Sequence, residues 1–88
     1  MPEVVIYCTR FCPYCVRARM LLDSKQIDYT AIPIDEQPER RTEMEQRSQR
    51  TSVPQIFIDD QHVGGCDDLF ALEAAGELDA RLGIGAGA

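Results

Sequence analysis

The chain holds a single histidine, His62, and no second Cys-x-x-Cys accompanies Cys12 and Cys15. A structural zinc site takes four Cys or His ligands, so no metal is expected. Long apolar runs are missing as well. None approaches the ~20 residues that cross a bilayer, so neither a spanning helix nor a membrane partner is expected. The opening Met1-Pro2-Glu3 puts no basic residue ahead of its apolar run. No secretory leader is therefore expected, and the expected compartment is the cytoplasm. Positive charge is scarce in the C-terminal third. Residues 59–88 carry Asp59, Asp60, Asp67, Asp68, Glu73, Glu77 and Asp79 against Arg81 alone, which accounts for the whole net charge of −6. Nucleic acid needs a basic face, so that partner class is excluded. A solvated acidic surface is the plain reading of these residues.

What is present fits one small domain. A length of 88 residues, 44% hydrophobic and 27% charged, leaves little room for a second core. The domain is expected over residues 1–82. The stretch 83–88 is expected to be a tail, too small and Gly-rich to pack. In a reducing compartment four cysteines are not expected to form structural disulfides.

The spacing of apolar residues predicts the order β-α-β-α-β-β-α. Residues 3–8 are β-branched and aromatic without clean alternation, as in a strand covered on both faces. Residues 13–25 read as a helix, with Pro13 suited to its first position. Cys15, Ala18 and Leu22 then fall on its buried stripe, and Cys12 lies just outside the helix, within reach of solvent. Strands are expected at 28–34, 55–58 and 61–63. Residues 38–50 read as a polar helix whose only large apolar residue is Met44, aided by the pairs Glu36–Arg40 and Glu43–Arg47. A last helix is expected from Asp67 to Ala75, and a helical turn at 77–82. The strand-helix-strand opening implies a parallel first pair, and the close turn at 59–60 implies an antiparallel hairpin. The expected fold is therefore a four-stranded mixed α/β sheet flanked by helices.

The chemistry lies in Cys12-Pro13-Tyr14-Cys15, at a strand-to-helix junction. A thiol at a helix N-terminus meets unpaired N–H groups that favour the thiolate, the nucleophile of disulfide exchange. Cys12 is the candidate nucleophile, with Arg10 and Arg17 near in sequence. Cys15, buried one turn in, is the candidate resolving thiol. Val53-Pro54 enters a strand where proline cannot donate to the ladder, so a tight turn there can leave Val53 backbone groups free for an extended ligand. Gly64-Gly65-Cys66-Asp67-Asp68-Leu69 opens a helix. Its N–H groups can hold a carboxylate and an Asp can hold an ammonium. The plainer alternative is a helix cap made by Asp67.

These segments, with Thr51-Ser52-Val53-Pro54, resemble the three signature segments of the dithiol glutaredoxins. The likeness runs over roughly residues 3–82 and is near the bacterial glutaredoxin 3 type, including Pro54-Gln55-Ile56-Phe57-Ile58. The resemblance implies a thioredoxin-like fold, with glutathione as reductant and no permanently bound cofactor. It implies attack by Cys12 and resolution by Cys15. It also implies a cis Val53–Pro54 bond and a glutathione groove lined by Tyr14, Ser52, Val53 and Pro54. Gly65, Cys66 and Asp67 would hold the γ-glutamyl end. The family often has lysine where this chain has Thr9, so Arg10, or else Arg41, is expected to hold the glycyl carboxylate. Cys8 falls where the family often has threonine. It reads as a small buried strand residue, with a regulatory disulfide as the alternative. The expected function is glutathione-dependent reduction of protein disulfides and glutathionylated proteins by a monomer. The alternatives are an iron–sulfur cluster carrier, which absorbance of anaerobic protein would reveal, and a redoxin fed by thioredoxin reductase, which a reductant swap would reveal.

Overall fold

The computed structural model describes residues 2–84, in the order β1 (Val4–Cys8), α1 (Pro13–Ser24), β2 (Thr30–Pro33), α2 (Pro38–Ser48), β3 (Gln55–Ile58), β4 (Gln61–Gly64), α3 (Cys66–Ala74) and α4 (Leu78–Leu82). The strands lie in the order β2-β1-β3-β4. β1 runs parallel to β2 and antiparallel to β3, and β3 pairs antiparallel with β4. This is the mixed sheet read from the sequence. Asp59 and Asp60 both take positive φ, 50° and 65°. That geometry matches the twist of a two-residue hairpin, and Asp is among the residues that tolerate it.

The sheet is covered on both faces, which explains the missing alternation in β1. Val4, Ile6 and Cys8 point to one side with Ile56 and Ile58, against Cys15, Ala18 and Leu22 of α1 and Leu69, Leu78 and Leu82. Tyr7 and Phe57 point to the other side, with Ile32, Ile34 and Met44. Successive side chains of a strand alternate between faces, so β1 and β3 each feed both cores.

α2 is held differently from the sequence expectation. Met44 is fully buried, but neither expected i,i+4 pair forms. Glu36 lies before the helix begins. Glu43 instead pairs with Arg40 at 3.1 Å and accepts from the Tyr7 hydroxyl. Arg47 reaches the Tyr7 oxygen at 2.7 Å and Asp60 at 3.0 Å, and its guanidinium lies 4.1 Å from the centre of the Phe57 ring. A polar helix is thus tied to the sheet through the buried Tyr7 and through Arg47, whose guanidinium lies over both the Tyr7 and Phe57 rings. At the far end of α1, Lys25 meets Glu73 at 2.8 Å and Asp79 at 2.7 Å, joining three helices.

The expected tail begins too early. Gly83 caps α4 with φ 74°, and Ile84 packs against the main core. The rest of that stretch, 85–88, lies outside the described residues. Leu22 is fully buried at the centre of the α1 face. Leu22→Ala should lower unfolding free energy by about 2–5 kcal/mol, read from the midpoint of a urea melt.

Candidate functional site

Three loops meet at one end of the sheet. The first runs from the end of β1 into α1. Cys12 is the N-cap, with extended backbone, and Pro13 occupies the first turn. The Cys12 Sγ accepts a hydrogen bond from the Cys15 N–H at 3.3 Å. A helix-terminal N–H aimed at sulfur favours negative charge there. The second loop, before β3, carries the cis Val53–Pro54 bond. Its Val53 carbonyl oxygen lies 3.9 Å from Cys12 Sγ. The third is the turn from β4 into α3. Gly64 takes φ 122°, and a side chain there would run into the Asp68 carboxylate. Only glycine fits on both counts.

The two thiols differ by environment. Cys12 is half-buried, whereas Cys15 is 1% exposed within the core. Burial, then the hydrogen bond with Cys12, pushes the Cys15 thiol up to about 12. The fold therefore holds the protonated form. The contribution of Cys15 to stability is complete below the free-thiol value of ~8.5 and is lost as pH rises from there toward about 12. Burial also raises the Cys8 and Cys66 thiols.

Beside Cys12 lies a groove of about 280 Å³, lined by Tyr14, Arg50, Ser52, Val53, Pro54, Gly65, Cys66, Asp67 and Asp68. The structure thus brings together Tyr14, the Ser52–Pro54 loop and the Gly65–Asp67 turn, as expected. It does not bring in Arg10. The Arg10 N–H and guanidinium both face Asp35, at 3.1 Å and 3.8 Å, and the side chain lines a separate cleft with Cys8 and Arg19. Arg41 also points elsewhere, to Glu45 and the Thr51 carbonyl. Arg17 lies over the Phe70 ring.

The cap of α3 corrects the sequence reading too. The helix starts at Cys66 with Gly65 as N-cap, and Asp68, not Asp67, accepts the Gly65 N–H at 2.9 Å. Asp68 also pairs with Arg50 at 3.0 Å. Its carboxyl is held below the usual range, first by Gly65 and then by Arg50. Asp67 makes no side-chain hydrogen bond or ion pair among the described residues. Arg50 escaped the sequence reading. Its only signal was its place just ahead of Thr51-Ser52-Val53-Pro54. The sign of Asp68 was legible in its spacing, three residues after Gly65, where a reciprocal cap is made.

A sheet of this order, with a Cys-x-x-Cys leading from its first strand into a helix and a cis proline opposite, defines a thioredoxin-like thiol oxidoreductase. The glutaredoxin family model matches residues 4–63. The chain is 56% identical over 82 residues to a Pseudomonas aeruginosa glutaredoxin, covering 93% of this chain and 98% of that one. It is equally identical to glutaredoxin 3 of Escherichia coli K12, at 93% and 99% coverage. A crystal structure of a buckwheat glutaredoxin–glutathione complex superposes with a TM-score of 0.85 at 27% identity, covering 93% of this chain and 77% of that one. The chain belongs to the glutaredoxin family of glutathione-dependent thiol oxidoreductases.

The environments of the four thiols predict their reactivity. At pH 8, iodoacetamide should modify Cys12 and leave Cys8, Cys15 and Cys66 as thiols, as read by peptide mass mapping of the folded protein. Modification of Cys15 ahead of Cys12 would reverse the assignment.

Proposed function

We propose that Cys12 is the attacking thiol and Cys15 the resolving thiol of a dithiol cycle that reduces protein disulfides and glutathionylated proteins. The observation that carries this reading is the contrast at the motif. Cys12 is half-buried at the groove and receives the Cys15 N–H, whereas Cys15 lies in the core with its thiol held protonated. In the first step the Cys12 thiolate attacks one sulfur of a disulfide, and the other sulfur leaves as a thiolate. Cys15 then loses its proton and attacks Cys12, releasing the bound half and closing the Cys12–Cys15 disulfide. Two glutathione molecules reduce that bond in turn, giving glutathione disulfide. In the glutathionyl branch a second glutathione, not Cys15, frees Cys12.

Glutathione fits the groove by chemistry. Its peptide-like middle can lie along Val53 beside the cis proline. The Gly65 N–H is already taken by Asp68, so the γ-glutamyl carboxylate is left the N–H groups of Cys66 and Asp67, at the positive end of α3. Asp67 is free for the ammonium. Arg50, which lines the same groove, takes the place expected of Arg10 as the cation available to a second carboxylate. The reading includes a monomer working in the reducing cytoplasm. Among the described residues no helix is long and apolar enough to cross a membrane.

Two measurements test the assignment. Cys12→Ser should abolish all turnover. Cys15→Ser should keep deglutathionylation and lose reduction of protein disulfides, and equal loss of deglutathionylation in both variants would sink the roles. Asp67→Ala removes a partly exposed ion pair worth ~1 kcal/mol, so the KM for glutathione should rise roughly fivefold. Attack on a small disulfide without a γ-glutamyl group should be unaffected. Parallel damage to both substrates would make Asp67 a fold element instead.

A further inference from the structure

Phe11, Tyr14, Val16 and Met20 are the exposed large apolar side chains among the described residues, and all four fall between residues 11 and 20. Phe11 is 89% exposed and Met20 65%. The buried stripe of α1 is Cys15, Ala18 and Leu22. Val16, Arg17 and Met20 therefore face outward on the opposite side of the helix. Arg17, Met20 and Leu21 meet Phe70 of α3 in an open groove of about 330 Å³. The Arg17 guanidinium sits 5.4 Å from the centre of the Phe70 ring and has no carboxylate partner among the described residues. Exposed apolar side chains gathered within ten residues of the Cys12 motif, next to a groove with an unpaired cation, mark a surface with a partner.

We infer that this surface docks the polypeptide of the client, with an apolar side chain against Met20, Leu21 and Phe70 and a carboxylate on Arg17. The inference rests on the reading of Cys12 as nucleophile and adds what surrounds the cysteine it attacks. A mixed disulfide has two halves. When the glutathione half lies between Tyr14 and Asp67, the client half leaves on another side of Cys12, and the outer face of α1 with its exposed Val16 and Met20 is one apolar surface open to it. The Cys12 thiolate bonds to the glutathione sulfur, the disulfide breaks, and the client cysteine departs as a thiolate that takes a proton from water. Charge selects the same side. Arg17 lines the groove beside Met20 and Phe70 and has no carboxylate partner among the described residues, so it offers a client carboxylate a complementary charge there.

Helix geometry converts this into a sequence preference. Arg17 and Met20 lie five and eight positions beyond Cys12, about 8 Å and 12 Å along a helix rising 1.5 Å per residue. An extended client at about 3.3 Å per residue covers those spans in roughly two and four residues. The preferred client thus has an acidic residue about two positions, and an apolar residue about four, from its reactive cysteine.

The test uses two synthetic peptides, each glutathionylated on its single cysteine. One carries Glu two residues and Leu four residues away on both sides, and the other carries Lys and Ser there. The small mixed disulfide of glutathione with mercaptoethanol is the control. Wild-type protein should favour the Glu/Leu peptide in kcat/KM by about tenfold, the gain expected of one half-buried apolar side chain in this open groove and one exposed ion pair. Met20→Glu should bring the two peptides to near equality and leave the small substrate unchanged. Met20→Leu should keep the preference. Equal kcat/KM for both peptides with wild-type protein, or a preference that survives Met20→Glu, overturns the docking surface alone. So does sedimentation showing a dimer that Met20→Glu dissociates, since a second copy would then cover the surface. Failure to turn over even the small disulfide overturns the Cys12 reading, and the docking surface with it.

Discussion

The antiparallel pairing of β1 with β3 is the constraint from which the site follows. Tyr7 lies opposite Gln55 and Val4 opposite Ile58. The chain leaving β1 therefore emerges beside the chain entering β3, which sets Cys12 against Val53. The next pairing, Ile56 with Gly64, brings the end of β4 to the same edge, and with it the Gly65 turn. Residues far apart in sequence are collected because strand ends coincide. A one-residue slip would turn Ile6, Ile56 and Ile58 out of the main core and Tyr7 and Phe57 into it. The hydrophobic pattern that holds the register thus also holds the reacting groups together.

Buried polar bonds refine what the register delivers. Gln55 is fully buried, yet its amide is satisfied. It donates to the Ser52 carbonyl at 3.0 Å, and its oxygen meets His62 Nε2 at 2.7 Å. One side chain thereby ties β4 to the loop that carries Val53 and Pro54. Burial, aided by Arg50, holds His62 below its usual range, which favours the neutral imidazole. An unpaired amide at this depth would cost about 1–3 kcal/mol. The bonds of Gln55 therefore act as a positional constraint on the groove, not as a surface ornament.

Much of this was legible beforehand, for reasons that differ by element. β1 and β3 were readable because they are buried on both faces, so neither needs alternation. α1 was readable from Pro13 and the recurrence of Cys15, Ala18 and Leu22. The three site segments were readable because each contains a backbone signal, a proline or a glycine pair, where the chain must depart from regular structure. What could not be read was partner choice among charged side chains. Arg10 and Arg50 are both arginines close to site segments. Asp35 draws one away, and Asp68 holds the other at the groove. Nothing local distinguishes them, since the deciding carboxylate lies 25 residues away in the first case and 18 in the second. The hold on α2 was hidden for the same reason. Tyr7 looked like one more apolar strand residue, while its hydroxyl anchors Glu43 and Arg47.

The adjacent residues Asp67 and Asp68 show how the fold divides similar groups between stability and chemistry. Position three of a helix lets a carboxylate turn back to the N-cap, so Asp68 bonds the Gly65 N–H and also takes Arg50. Position two does not, and Asp67 stays unbound at the groove wall. A carboxylate with two partners in place has little left to offer an ammonium, because a new cation would have to compete with Arg50. Asp67 carries no such cost. The same division separates the cysteines. Cys15 belongs to the core, and its N–H serves the sulfur of the half-buried Cys12, so the buried residue sets the surroundings of the accessible one. In both pairs one group is committed to the fold and its neighbour is left accessible. That is how an 88-residue chain builds both a core and a reactive surface from few side chains.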